Sequence, residues 1–254
     1  AMSAQTSEPL LLAPVRSVDV GRRRIARVRV REPELAEVVQ KRIFERVLGP
    51  HDARKAEIVS QHLLLLPFHR FEIEAGGSVL RMGSMRIGNA RMPLPFQTSK
   101  RENVVLWIAA REAIPLRIVR RIGMAPLLLD ATAFGALDVP MSECTLDAEA
   151  SMPEVQADVP RERAEEQAKL TAKVGLGPGN AVFGVGGIET HVAKYDVVSL
   201  PTMIARYTYQ GEADPRGGTF SVGVSAYSGK PIWEEHPNVG RSALGKFRKA
   251  LTFG

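Results

Sequence analysis

The feature that most constrains this chain is a pattern written twice. Residues 65–93 read LLPFHRFEIEAGGSVLRMGSMRIGNARMP, and residues 199–231 read SLPTMIARYTYQGEADPRGGTFSVGVSAYSGKP. Each opens near a Leu-Pro pair, runs on as an alternating aromatic strand, turns at glycine and returns through a second strand. A helix signal precedes each, opened by Pro33 in one case and Pro160 in the other. The helix starts are offset by 127 residues and the Leu-Pro pairs by 134. That difference is the size of a surface-loop insertion, which costs little closure entropy. The shared order predicts an α+β fold made by internal duplication: two similar lobes, each a curved antiparallel sheet covered by a helix. The lobes are expected over residues 9–150 and 155–254.

A chain of 254 residues accommodates one large domain or two smaller ones. Cys144, the only cysteine, excludes an internal disulfide framework and a cysteine-rich zinc site, and suits a reducing cytoplasm. No apolar run approaches the ~18–20 residues that span a bilayer, so no membrane association is expected. The N-terminus carries no basic segment followed by an apolar core, so no signal peptide is expected. Ala1 before Met2 reads as a remnant of tag cleavage, and residues 1–8 are set aside.

Along the chain, residues 9–20 and 25–31 read as extended, IARVRVR having a strict period of two, with GRRR at 21–24 as a hairpin turn. Glu32-Pro33 opens a helix whose apolar face is Leu35, Val38, Val39, Ile43 and Val47, ending near Gly49-Pro50. Phe71 and Ile73 alternate with Glu72 and Glu74 before a turn at Ala75-Gly76-Gly77. NVVLWIAARE (103–112) reads as a central buried strand and APLLLD (125–130) as another. The acidic, proline-punctuated stretch 138–160 reads as a linker with its boundary near 150–155, and its charge suits it to lie over the arginine-rich strand. A second helix follows, with a weak apolar face of Ala164, Ala168, Leu170 or Thr171, and Val174, capped at Gly175. Residues 241–253 read as a short basic amphipathic helix.

The net charge is +6, and much of it is local: Arg16, Arg22, Arg23, Arg24, Arg27, Arg29 and Arg31 stand against Asp19 alone. Such a strand could meet nucleic acid, an acidic protein segment or a membrane surface. The plainer reading is the wet face of a half-buried strand, because Arg27, Arg29 and Arg31 alternate with Val28 and Val30.

The return strand of the second hairpin, Val222, Val224 and Ala226 followed by Ser228-Gly229-Lys230 and Ile232, resembles the closing strand of PepSY-like domains. The strand before it, PTMIARYTYQGE, is similar to strands common in bacterial hairpins of this kind. The resemblance implies a non-catalytic module that binds or regulates other proteins. The first hairpin departs from it, with Gly88-Asn89-Ala90 in place of Ser228-Gly229-Lys230.

Signals for chemistry are weak. His51, His62, His69, His191 and His236 have no metal-ligand spacing, and Cys144 has no neighbouring ligand residue, so no metal is expected. No nucleophile elbow is present; Ser84 in MGSMRIG reads as a strand residue. The glycines of GLGPGNAVFGVGGI follow a helix and precede a strand, the reverse of a phosphate loop, so no cofactor is expected.

The expectation is therefore a non-catalytic adaptor or accessory protein that takes a peptide or protein partner by pairing with a sheet edge. The residues expected to meet the partner are Arg22, Arg23, Arg24, Arg27, Arg29, Arg70, Arg206, Tyr207, Tyr209 and Lys230. Two alternatives stay open. One is nucleic-acid binding through the basic charge, and the other an enzyme whose site is assembled from His69, Glu72, Arg111 and Glu112. Either a monomer or a homodimer fits.

Overall fold

A computed structural model describes residues 11, 13–47, 55–87, 90–114, 118–119, 128–129, 136–137, 139–146, 152–176, 188–211, 214–235 and 237. The fold is mixed α and β and mostly sheet, with two helices. In chain order the elements are β1 (Arg23–Ala26), α1 (Glu32–Lys41), β2 (Ala56–Ile87), β3 (Ala90–Ala109), β4 (Ile118–Val119), β5 (Leu128–Leu129), β6 (Cys144–Leu146), α2 (Arg161–Leu176), β7 (Glu189–Gly211), β8 (Asp214–Ser225) and β9 (Pro231–Glu234). Seven strands hydrogen-bond in the order β3-β2-β7-β1-β6, with β8 added to β7 and β9 to β8.

The chain divides into two compact units, and neither is a consecutive half. The first comprises residues 1–24, 67–130 and 156–198; the second comprises 25–66, 131–155 and 199–254. The long strands β2 and β7 therefore each contribute to both units. β2 changes unit at Leu66–Pro67, the Leu-Pro pair that stood out in the sequence, and β7 does so just before its own pair. Proline has no N–H to give a ladder, but the carbonyl of each one is used. Pro67 accepts from Ala110 at 3.0 Å and Pro201 from Ala226 at 2.8 Å.

In the second unit, α1 begins with Pro33 in its first turn and continues as a π-helical turn over Arg42–Val47. Its face of Leu35, Val39 and Ile43 is fully buried against Tyr207, Tyr209, Val222 and Val224 of β7 and β8. Burying three such side chains contributes on the order of 5–8 kcal/mol. In the first unit, α2 lies on β3 with a face of Ala164, Ala168, Thr171 and Ala172. These small residues let the helix axis come close to the sheet. Leu170 points away and is 48% exposed, which decides the register that the sequence left open.

Several expectations change. The Gly76-Gly77 turn does not form. β2 runs on to Ile87, and Gly76 pairs with Arg101 and Gly77 with Lys100 across a twenty-pair antiparallel hairpin. Neither glycine takes a positive φ, so nothing reverses the chain there. NVVLWIAARE is consequently the end of the edge strand β3, not a central strand; Leu106 and Trp107 are buried, but Val105 is 36% exposed. Near the N-terminus the strand covers only Arg23–Ala26 and residues 14–20 are irregular. The turn is confined to the start of GRRR, at Gly21, whose φ is +72° and whose N–H donates to Asp19 Oδ1 at 2.9 Å, while Arg23 and Arg24 already belong to the strand.

Other expectations hold. The acidic stretch does lie over the arginine-rich segment: Glu143 accepts from the Arg27 N–H and pairs with the Arg29 guanidinium at 2.8 Å. Ser228-Gly229-Lys230 makes a tight turn with Gly229 at φ +68°. The ends expected at Gly49-Pro50, most of the glycine-rich segment and the helix at 241–253 lie outside the described residues.

Candidate functional site

The arginines expected to meet a partner separate into two groups. Arg22, Arg27 and Lys230 are exposed, and Arg29 lies outward with its guanidinium 4.6 Å from the Tyr227 ring centroid while paired to Glu143. Arg23, Arg24 and Arg206 are half-buried. Arg70 is buried and bound within its own unit: it donates to Glu72 at 2.7 Å, lies 3.9 Å from Asp196 and 5.9 Å from the Trp107 ring. Arg24 reaches the same Asp196 at 3.0 Å. The Arg70 contact holds the Glu72 carboxyl below the usual range. Tyr207 and Tyr209 are core residues, 0% and 1% exposed, and the Tyr207 hydroxyl donates to the Glu235 carbonyl at 2.8 Å. Their rings face α1 rather than a partner, because the alternation places Arg206, not the tyrosines, on the outer side of β7.

The residues considered for an assembled enzyme site form a polar framework in the first unit. His69 is fully buried, with Nε2 2.8 Å from the Val159 carbonyl and Nδ1 2.9 Å from the Tyr195 hydroxyl. A carbonyl only accepts, so Nε2 carries the proton and the neutral ring accepts at Nδ1 from Tyr195. Burial depresses the His69 pKa, with Arg161 adding to the shift, and burial raises that of Tyr195. Arg161 lies 4.3 Å over the Tyr195 ring. Arg111 pairs with Asp158 at 3.3 Å and donates to the Ala13 carbonyl at 3.0 Å, while the Glu112 N–H donates to Asp158 Oδ1. These contacts tie residues 156–160 to β2 and to the end of β3. His69 spends both ring nitrogens on the fold, and Arg111 is held there by its Asp158 ion pair and its bond to the Ala13 carbonyl.

The surface left over is the distal part of the β2–β3 hairpin. Register places Met85 opposite Met92, Ile87 opposite Ala90 and Gly83 opposite Leu94, so over residues 83–87 and 90–94 one face of this arm carries no polar side chain. Met85, Ile87, Met92 and Leu94 are 51%, 53%, 49% and 38% exposed. Their uncovered area is on the order of 300 Å², comparable to the largest apolar patch on a typical monomer, which is often functional. The other face carries Arg86 directly opposite Arg91 and Ser84 opposite Pro93. Between Ala75 and Arg101 the chain has Arg81, Arg86, Arg91, Lys100 and Arg101 and no acidic residue.

At the arm's base a groove of about 1100 Å³ opens between Gly76-Gly77, Arg101, the α2 lysines Lys169 and Lys173, and Glu189 and His191 at the start of β7. Among the described residues no group of three His, Cys, Asp or Glu side chains could hold a metal ion. No described helix is long and apolar enough to cross a membrane. No protein-family model, curated protein or solved structure matches the chain.

Sequence reasoning missed the arm because it placed the turn at Gly76-Gly77. The signal was nevertheless present: a stretch from 75 to 101 whose charges are all positive and whose Met, Ile and Leu residues alternate with arginine.

Proposed function

We propose that this chain is a non-catalytic accessory protein that binds a peptide or protein partner, with the β2–β3 arm and the groove at its base as the binding surface. The observation that carries this reading is the exposed apolar cluster at the arm's distal end, Met85, Ile87, Met92 and Leu94, within a segment whose charges are all cationic. A partner docks on the face rather than the edge. Pro93 and Pro95 lie in the edge strand β3 and remove two N–H donors that strand addition would use.

The same reading takes the chain as an internal duplication. Among the described residues each unit packs one long helix with one long hairpin, and in each a Leu-Pro carbonyl accepts from an alanine just after the return strand, Ala110 or Ala226. Each hairpin is grouped with the helix of the other half of the sequence. A PepSY-like ancestry of the second hairpin agrees with a protein-binding role. The expected setting is the cytoplasm.

The test is a thermal-midpoint panel of acidic, neutral and basic peptides, short single- and double-stranded DNA and RNA, and common nucleotides. A ligand that binds the folded state alone raises the midpoint. Peptides raising it, with nucleotides inert, supports the reading; nucleotides or nucleic acids alone raising it refutes the reading.

A further inference from the structure

We infer that the arm docks an acidic, amphipathic polypeptide segment of the partner, its apolar side chains on Met85, Ile87, Met92 and Leu94 and its carboxylates on Arg86 and Arg91. This deepens the peptide-binding reading and rests on it.

Charge decides the class of occupant. Arg86 and Arg91 are both exposed and stand directly opposite each other. Like charges facing across a strand pair destabilise it, and no carboxylate from residues 75–101 offsets them. A carboxylate from a partner removes that cost and adds charge-assisted hydrogen bonds. The ribbon is two strands wide, ~5 Å from strand to strand, so a long arginine side chain on one face reaches the rim of the other.

The apolar face decides among anionic partners. Duplex DNA can take a two-stranded ribbon in its major groove and would use the arginines, but it would leave four apolar side chains without a purpose. An anionic bilayer would take the apolar face yet call for no specific carboxylate geometry. A second copy of the chain packing apolar face to apolar face would bury well under the ~800 Å² per partner of a standard interface and would supply no carboxylate to Arg86 and Arg91. An acidic amphipathic segment satisfies both faces at once. Two methionines at the centre suit a surface that adapts to apolar side chains of differing shape.

The experiment is fluorescence anisotropy on the full chain with labelled probes: a synthetic peptide alternating glutamate with leucine, a polyglutamate peptide of equal charge, a basic peptide alternating lysine with leucine, and a short DNA duplex. Sedimentation with phosphatidylcholine–phosphatidylserine vesicles completes the set. The Glu/Leu peptide should bind at least about tenfold tighter than any other probe. Arg86→Glu with Arg91→Glu, and separately Met85→Ser with Met92→Ser, should each weaken it by about tenfold or more. The milder Arg86→Gln with Arg91→Gln should give a smaller loss, with circular dichroism unchanged in every case.

Equal binding of the Lys/Leu peptide, with the same dependence on Met85 and Met92, overturns the acidic assignment and leaves peptide binding standing. Glu/Leu binding indifferent to all arm variants overturns the arm as the site, again leaving peptide binding standing. Tighter binding of duplex or vesicles overturns the occupant, and no binding of any peptide overturns both readings.

Discussion

Gly223 lies directly beneath the indole of Trp233. A Cβ built on this glycine would fall within van der Waals distance of ring carbons Cζ3, Cη2 and Cε3, far closer than real Cβ atoms approach their neighbours. The two residues are cross-strand partners of β8 and β9, at the point where the register shifts. The indole N–H donates to Ser221 Oγ at 3.0 Å, and Ser221 in turn binds the Glu235 carboxylate at 2.5 Å. Trp233 is therefore fixed from the rim as well as from below, and cannot swing aside without losing these bonds.

Gly223→Ala should accordingly destabilise by about 2–3 kcal/mol, as overpacking does. Gly229→Ala, strained by its φ of +68° but facing only Val30 at 3.6 Å, should cost about 1 kcal/mol. Urea unfolding of both variants checks the order. Equal losses would mean that Trp233 is not held over Gly223.

His69 predicts an acid-dependent stability. Its folded-state pKa is depressed, chiefly by burial, so the unfolded chain takes up a proton more readily. Stability is then fully present above the unfolded value of ~6.5 and is lost as pH falls through the folded value. Glu72, lowered by its bond to Arg70, adds a separate loss at more acid pH, below the usual carboxylate range. Chemical denaturation of wild type and His69→Gln between pH 7.5 and 5.5 should show a steeper decline for wild type. Parallel curves would remove His69 as the cause.

How much of this could be read from the sequence depends on whether local pattern and tertiary context agree. α1 was legible because Pro33 and the spacing of Leu35, Val39 and Ile43 state the start and the buried face together. α2 was legible in position but not in register. An alanine face carries almost no hydrophobic contrast, so Leu170 and Thr171 competed for one place. The hairpin length was not legible because Gly76-Gly77 is a turn signal only when the chain takes positive φ, and here twenty backbone pairs keep it extended. That misplaced turn concealed the arm. The partner residues chosen for their aromatic and arginine content went partly inward, since the period of two says which residues share a face but not which face the helix covers.

The helix faces differ in what they tolerate. Ala168 is fully buried on the inner face of α2, whereas Leu170 is 48% exposed two positions on. Ala168→Leu should lower stability by about 1–3 kcal/mol by pushing the helix off β3. Leu170→Ala should change it by less than about 0.5 kcal/mol. Thermal denaturation distinguishes them, and the reverse order would mean that α2 presents a different face to the sheet.

The arm separates stability from function. Met85 and Met92 face each other with about half of each side chain in water, so Met85→Ser with Met92→Ser should alter folding stability by less than about 1 kcal/mol. Phe71 lies on the same strand, fully buried, with its ring 5.0 Å from that of Tyr195. Phe71→Ala should cost about 3–5 kcal/mol, the cavity and transfer terms acting together. Relieving the like-charge pair by Arg86→Thr should strengthen the arm by a few tenths of a kcal/mol, seen as slower amide exchange at residues 83–87 and 90–94. A double methionine variant as unstable as Phe71→Ala would show that something in the folded chain already covers the arm, and its apolar face would no longer be free for a partner.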